Sequence, residues 1–545
     1  MNRPKFFSAC PLLLSALLLA SPSFAGTGNT GEGSENPDLT PAVVDSARVA
    51  NAGTILASDL RKHLEVLASN EYEGRETGEK GQKMAAEYIT NYFESIGLEP
   101  VVNGSYVQPF DLRQDGWGEV YIDANGNRFE FLQDFYGWPG TNDDLSLSAE
   151  EVVFVGYGID DEKYSDYEGM DVNGKIVVFS SGEPYNKDGN SVITGGEKSA
   201  WSTEWRKKLD AATNKGAKAI LVVSPYVNEQ MQQKSFVSYL KGSSLELAKE
   251  GEDGSPVANT LYISTETGLE LLGMSEKKFD KHYAKIDKKG KARSMVIKAA
   301  VEVKVGKETS IVQSENVMGF LPGTDLKDEI IVVSAHYDHI GRNEEEIFNG
   351  ADDDGSGTVS VLEIAQAMTT AADAGFRSRR SILFMTVSGE EKGLLGSEYY
   401  TDNPIFPLES TVTNLNIDMV GRLDKEHEED PDYVYVIGSD YLSTELHAIS
   451  EETAANYSDV ALDYRYNAKD DPNRFYYRSD HYNFAKNNIP VIFYFNGTHN
   501  DYHQSTDTVE KIEFDVMAKR AQLIYHTLWE VANADKRPAV DVEQD

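Results

Sequence analysis

Five stretches of this chain concentrate side chains that hold cations and move protons. His336-Tyr337-Asp338-His339 follows the apolar, β-branched run Ile330–Val333, and Gly350-Ala351-Asp352-Asp353-Asp354-Gly355-Ser356-Gly357 comes next. Three successive carboxylates in a glycine-rich loop repel one another, and such a cluster calls for a cation. A His two residues before an Asp suits a ligand whose neighbour steadies the other ring nitrogen. Glu390-Glu391 and Asp418 stand after two further apolar runs, Ser381–Val387 and Leu415–Ile417. The run Pro490–Phe495 leads into Asp501-Tyr502-His503.

Each set therefore follows a short apolar run that reads as a buried strand. In an open α/β sheet, ligands bind in the crevice beyond the carboxyl ends of the strands, which would gather these groups on one rim. Imidazole mixed with carboxylate suits zinc, or less often manganese or cobalt, better than calcium or magnesium. His339 and His481 lie near the motifs and read as hydrogen-bonded structural histidines.

The order His-x-Asp, Gly-Ala-Asp-Asp-Asp-x-Ser-Gly, Gly-Glu-Glu-x-Gly-Leu-x-Gly-Ser, Asp-Met and Tyr-His-x-x-x-Asp-Thr, spanning His336 to Thr508, resembles the secreted dizinc aminopeptidases of the Vibrio and Streptomyces type. The resemblance implies two Zn2+ per chain. Asp353 would bridge them, His336 and Asp418 would complete one site, and Glu391 and His503 the other. It further implies Glu390 as general base, Asp338 as the residue orienting His336, Tyr502 as a group polarising the scissile carbonyl, and a cis peptide at Asp353-Asp354. Two zincs sharing one Asp would activate a water and polarise the peptide carbonyl, while Glu390 carries the proton to the leaving amine.

The implied substrates are peptides with a free N-terminus, whose amine Glu390 and Asp418 could receive. A carboxypeptidase or dipeptidase on the same scaffold is the alternative; it needs a cation for the terminal carboxylate, which Arg422, Arg474 or Arg478 could supply. A receptor-like relative without metals is disfavoured by the full ligand set. A one-zinc cyclase of glutaminyl N-termini is disfavoured by the bridging Asp.

Residues 1–25 read as a signal peptide, with Arg3 and Lys5 before the apolar stretch Pro11–Ala20 and a small-x-small site at Ser23-Phe24-Ala25. The expectation is an exported protein, periplasmic or secreted, with no membrane anchor after cleavage. Cys10 is the chain's one cysteine, so disulfides contribute nothing to the mature protein. The net charge of −39 would become −41 when Arg3 and Lys5 leave, which excludes nucleic acid and anionic membranes as natural partners. It also suggests work in salt water, where self-repulsion is screened. Oligomeric state stays open.

The fold class expected is α/β, a mixed, mostly parallel sheet flanked by helices, with an inserted β-rich domain. Residues 26–50, rich in Gly, Thr, Asn, Ser and Glu, read as a disordered leader. The peptidase domain begins over 51–145, with a helix from an N-cap at Ser58, a turn-rich Gly74-Arg75-Glu76-Thr77-Gly78 loop in which Arg75 would form a loop-fixing salt bridge, and a helix ending at Gly97. Residues 146–300 read as an insert resembling the protease-associated domain, through Gly156-Tyr157-Gly158, Asp171-Val172-x-Gly174-Lys175 and Gly216–Ala219, and suited to a lid or a structural role. Its lysine-rich stretch Ser275–Arg293 reads as a solvated helix or loop. Residues 301–535 return to the catalytic part, with Val301–Val305 and Val317–Leu321 resuming the main sheet and a helix over Phe514–Ala532, and 536–545 form a charged tail.

Overall fold

The computed structural model describes residues 40–241, 244–248 and 258–543. The expected signal peptide and most of the expected leader lie outside these residues. Four strands form the centre of the main sheet: Leu326–His336, Arg380–Val387, Thr411–Ile417 and Val491–Phe495. They run parallel, with Leu326–His336 between Arg380–Val387 and Thr411–Ile417, and Val491–Phe495 beyond the latter. On one side Tyr433–Ile437 pairs antiparallel with Val491–Phe495 and is followed by the short parallel edge strand Ala461–Asp463, and on the other Met295–Leu321 pairs antiparallel with Arg380–Val387.

The central strands carry continuous apolar runs because both faces are covered. Ile331, Val333, Ile382, Phe384, Ile492 and Tyr494 point into one core, shared with the helices Ala57–Leu67, Lys80–Ser95, Gly357–Asp373 and Phe514–Asn533. Their neighbours Ile330, Val332, Leu383, Met385, Val491 and Phe493 point into the opposite core, beside Tyr400 and Phe484. This alternation follows from the two-residue period of a strand.

Met295–Leu321 is one 27-residue strand, where two separate pieces were expected. It pairs antiparallel with Val107–Ala124 through a register shift between Trp117 and Val120. Gly118 and Gly306 meet at that shift, and a Cβ on Gly306 would stand 2.8 Å from the Glu119 backbone nitrogen. The ribbon leads out of the main sheet into the insert. There its far end joins Leu145–Phe154, followed in order by Ile176–Ser180, Ala219–Val223 and Asn259–Ile263, all parallel from Leu145–Phe154 onward. Helices Trp205–Asn214, Thr265–Leu271 and Glu276–Lys289 accompany these strands.

The boundaries 146 and 300 need correction. Val120, Ile122, Ala124 and Phe135 on one side, and Val301 and Val303 on the other, pack into the insert's own core with Val152, Phe154 and Ile263. The ribbon thus lends its far end to the insert: Val301–Val305 lies in the same continuous strand and sheet as Val317–Leu321 but packs into the insert's core. Within the insert, Glu276–Lys289 is the expected lysine-rich helix, anchored by buried Phe279, His282 and Ile286.

Three further expectations are corrected. Pro41–Ala52 is a helix, so the leader's last ten residues are ordered. Arg48 fixes it to the C-terminal helix, donating to the His526 carbonyl at 2.6 Å and to Glu530 at 2.9 Å. The helix expected to be capped by Ser58 starts at Ala57 with Leu56 as its N-cap. The helix expected to end with Gly97 as its C-cap ends at Ser95 with Ile96 as the cap, and Gly97 follows directly with φ at +81°. Residues 539–541 also dock on the fold: Ala539 N–H donates to Glu445, and Asp541 accepts from Thr444.

Candidate metal centre

The parallel strands deliver their motifs to one rim. His336 ends its strand, Glu390 and Glu391 follow Val387 after two residues, Asp418 follows Ile417 directly, and His503 comes eight residues after Phe495. The Asp-rich loop lies across this rim between His336 and the helix Gly357–Asp373, as a single distorted turn, Ala351–Ser356, with a cis peptide at Asp353-Asp354.

The three aspartates have separate duties. Asp354 is wholly buried and accepts from the backbone N–H groups of Gly357 (2.8 Å), Met419 (2.9 Å) and His336 (3.3 Å), joining the loop to two strand ends. Asp352 accepts from Gly421 N–H at 2.7 Å and pairs with His499 at 3.0 Å. Asp507 accepts from the N–H groups of Asp352 and Asp353 and so pins the loop from the far side. Only the Asp353 carboxylate is left to face the other motif residues. Its Oδ1 lies 3.3 Å from His336 Nε2, and its Oδ2 lies 3.0 Å from His503 Nε2.

Around Asp353 the groups divide into two sets. His336 Nε2 also faces Asp418 Oδ1 and Glu390 Oε2, each at 3.7 Å. His503 Nε2 faces Glu391 Oε2 at 3.2 Å, and His339 Nδ1 lies 2.7 Å from Glu391 Oε1 and 3.8 Å from Asp353 Oδ2. Two clusters with metal-ligand spacing result: His336, Glu390 and Asp418, and His339, Asp353 and Glu391. All five ligands expected from the resemblance meet here, with Glu390 beside them.

The donors fit metal ions. Asp353 Oδ2, Glu391 Oε1 and His339 Nδ1 are buried and make no hydrogen bond among the described residues. Buried lone pairs left unsatisfied are costly, and a shared cation removes that cost. The electrostatics of the cluster carry the same signature. Burial opposes charge on His336, yet Glu390 and Asp418 hold its pKa well above the ordinary value. Burial likewise opposes charge on His503, but Asp353 and Glu391 push it to about 10. Burial, with Glu391 and Asp418 adding to it, drives the Glu390 carboxyl well up, as suits a group that takes a proton.

Asp338 meets His336 mainly through its main chain. His336 Nδ1 meets the Asp338 main-chain oxygen at 3.1 Å, while the carboxylate stands 3.7 Å away. That carboxylate accepts from Thr77 Oγ1 at 2.6 Å and from Glu390 N–H at 3.3 Å, so it positions the Glu390 loop. Asp418 is held by Ser479, whose hydroxyl donates to Oδ2 at 2.6 Å.

Arg75 is a correction. It is 1 % exposed and makes no salt bridge among the described residues. Instead it donates to four main-chain oxygens: Tyr337 (2.8 Å), Leu67 (2.8 Å), Asn349 (2.7 Å) and Gly350 (2.9 Å). Arg75 and Thr77 thus tie the loop at 74–78 to both metal-binding motifs.

Beside the acids lies a pocket walled by Met419, Phe475, Phe493 and Phe495, with Arg478 and Tyr502 at its edge. The Tyr502 ring stacks on His503 at 4.0 Å, and its hydroxyl accepts from Arg478 at 3.3 Å. Burial and the nearby acids raise the Tyr502 pKa, so the hydroxyl keeps its proton. Arg422 is engaged by Asp501 at 3.0 Å, and Arg474 lies over Tyr477.

His339 and His481 differ from the reading given to them. His339 clusters with Asp353 and Glu391, and neither ring nitrogen is hydrogen bonded. His481 is buried without a side-chain partner, stacked on Phe493 at 4.7 Å, and burial lowers its pKa to about 3. The apolar rim walls had no sequence signal beyond their place near the motifs, and Asp507 stood inside the Tyr-His-x-x-x-Asp-Thr motif without an assigned role.

Comparison with known proteins agrees with this geometry. Residues 316–528 match the model of peptidase family M28. The chain is 27% identical over 233 residues to the aminopeptidase YwaD of Bacillus subtilis, covering 41% of this chain and 46% of that protein. It is 29% identical over 227 residues to leucine aminopeptidase 1 of Sclerotinia sclerotiorum, covering 40% and 56%. The chain spans about half the length of the curated relatives it matches. An aminopeptidase structure from Aneurinibacillus sp. strain AM-1 shares the fold over 91% of this chain and 98% of its own, with a TM-score of 0.54 and 19% identity. Over residues 316–528, then, the chain is similar to peptidase family M28.

Proposed function

We propose that the protein is an exported zinc aminopeptidase that holds two metal ions and removes N-terminal residues from peptides. The observation that carries the reading is the Asp353 carboxylate, set between two imidazole–carboxylate sets, with an Oδ2 that makes no hydrogen bond among the described residues. His336, Asp353 and Asp418 would hold one ion, and Asp353, Glu391 and His503 the other. When bound, the pair supplies a water of lowered pKa and polarises the scissile carbonyl.

The chain's own residues do the rest. Glu390, placed by its N–H on Asp338, takes a proton at its carboxylate and returns it to the leaving amine. The Tyr502 hydroxyl donates to the carbonyl oxygen where negative charge grows. Met419, Phe475, Phe493 and Phe495 exclude water around the first side chain, and Glu390 and Asp418 face its free amine. The apolar wall favours an apolar N-terminal residue. The leader over residues 1–25 supports export.

A second reading is a carboxypeptidase or dipeptidase. It draws on Arg478, which lines the pocket and donates to Tyr502, not to a carboxylate. Opposite activity on a free-amine p-nitroanilide and an N-blocked dipeptide separates the two. The mechanism is tested by zinc content and leucine p-nitroanilide hydrolysis for the wild type and Glu390→Gln. Equal zinc in both, with activity lost in the variant, is expected; equal activity would remove Glu390 from the chemistry.

A further inference from the structure

His339 belongs to neither of the metal sets just assigned, although its ring is wholly buried in the same cluster. Its position is built, because Gly350 lies against the ring with φ at +54°, and a Cβ there would come 2.5 Å from His339 Cγ and Cδ2. The main chain is held by a bond from His339 N–H to the Arg75 carbonyl at 3.2 Å. Nδ1 then faces Glu391 and Asp353, on the side of the cluster that His503 closes, with the two rings 5.8 Å apart and nearly perpendicular.

The approach to Glu391 is not an ordinary hydrogen bond. Nδ1 and Oε1 stand 2.7 Å apart, yet neither atom makes a hydrogen bond of acceptable geometry among the described residues. Two buried donors brought side by side in this way suit ligands of a common ion. Four atoms tetrahedral about zinc at bonds of ~2.0–2.1 Å lie about 3.3 Å from one another. The donor separations here are 2.7 Å (His339 to Glu391), 3.0 Å (His503 to Asp353), 3.2 Å (His503 to Glu391) and 3.8 Å (His339 to Asp353), which bracket that spacing.

We propose that His339 is a fourth protein ligand at the site formed by Asp353, Glu391 and His503, which makes that site closed while the His336–Asp353–Asp418 site stays open. This rests on the two-metal reading above and deepens it. A four-ligand site has the character of a structural zinc site, and a three-ligand site keeps a position for water or substrate. The two sites are therefore unequal: the His339 site fills first and releases its metal last, and exchange is confined to the His336 site.

X-ray absorption of the purified full-length mature protein loaded with zinc tests this without activity. The ligand set gives about three imidazoles per two zincs in the wild type, from His336, His339 and His503, and about two in His339→Gln. A chelator competition on the same samples should show tight retention of one zinc in the wild type. In His339→Gln that affinity should fall by more than the ~10–100-fold expected from losing an outer hydrogen-bond partner. Two zincs with two imidazoles in the wild type would overturn the assignment of His339 and leave the two-metal reading intact. Absence of bound metal would overturn both. The wild-type count decides the matter even if the variant fails to fold.

Discussion

Replacing Arg75 by Met removes the single group that ties the first loop to both metal motifs. The guanidinium donates to the carbonyls of Leu67, Tyr337, Asn349 and Gly350 from a site closed to solvent. Hydrogen bonds from a charged donor contribute ~1.5–3 kcal/mol each, but four on one side chain are not additive. Each buried carbonyl left without its donor costs about 1–3 kcal/mol, and with partial relaxation of the four we take about 3–5 kcal/mol as the expected loss. The charge itself matters: burial disfavours it, and Asp338, Asp354, Asp507 and Asp353 favour it. Without Arg75 their mutual repulsion is uncompensated in the metal-free protein, so zinc should recover part of the deficit. Because Tyr337 and Gly350 adjoin His336 and the Asp-rich loop, zinc affinity should fall ~10–100-fold. Arg75→Lys should retain little, since an ammonium lacks the planar fork that reaches four acceptors. Urea unfolding of chelated and zinc-loaded protein, with a zinc competition assay, reads all three. A loss below about 1 kcal/mol with unchanged zinc affinity would refute the carbonyl clamp.

Three further outcomes are expected. Tyr502→Phe should lower kcat for leucine p-nitroanilide by ~10–1,000-fold with little change in KM or zinc content, since the hydroxyl acts where charge develops; an unchanged kcat would remove Tyr502 from the mechanism. His481, neutral in the fold with a pKa of about 3 against 6.5 for a free ring, contributes stability at neutral pH that is lost as pH falls from 6.5 toward 3. That amounts to about 2 kcal/mol by about pH 5, and His481→Phe should shed that part of the slope in metal-free denaturation curves; identical slopes would show the ring to be protonated in the fold. With a net charge of −39, the melting temperature should rise with added NaCl, and no rise would remove the link to saline surroundings.

The chemistry was legible in the sequence because its residues follow apolar runs, and parallel strands buried on both faces place whatever follows them on one rim. His336, Asp353, Glu390, Glu391, Asp418 and His503 all meet there. Side-chain direction was not legible. His339 lies three residues past His336, beyond the strand's end, where alternation no longer says which way a ring points, and only Gly350 and the Arg75 carbonyl fix it. Arg75 was read as half of a salt bridge because charge pairing is visible in a sequence and four carbonyl oxygens are not. Asp338 has the same lesson, since its main-chain oxygen meets His336 and its carboxylate serves Thr77 and Glu390. The insert's edges were misplaced because one 27-residue strand serves two cores, and nothing in its composition marks where the first ends.

On the proposed function, a pair of metals joined by Asp353 acts on peptides with a free N-terminus. Zinc is titrated into chelator-treated protein while leucine p-nitroanilide and its N-acetyl counterpart are followed side by side. Activity on the free amine alone, completed at about two zincs per chain, is expected. Full activity without metal, or cleavage of the N-blocked substrate in preference to the free one, would contradict it.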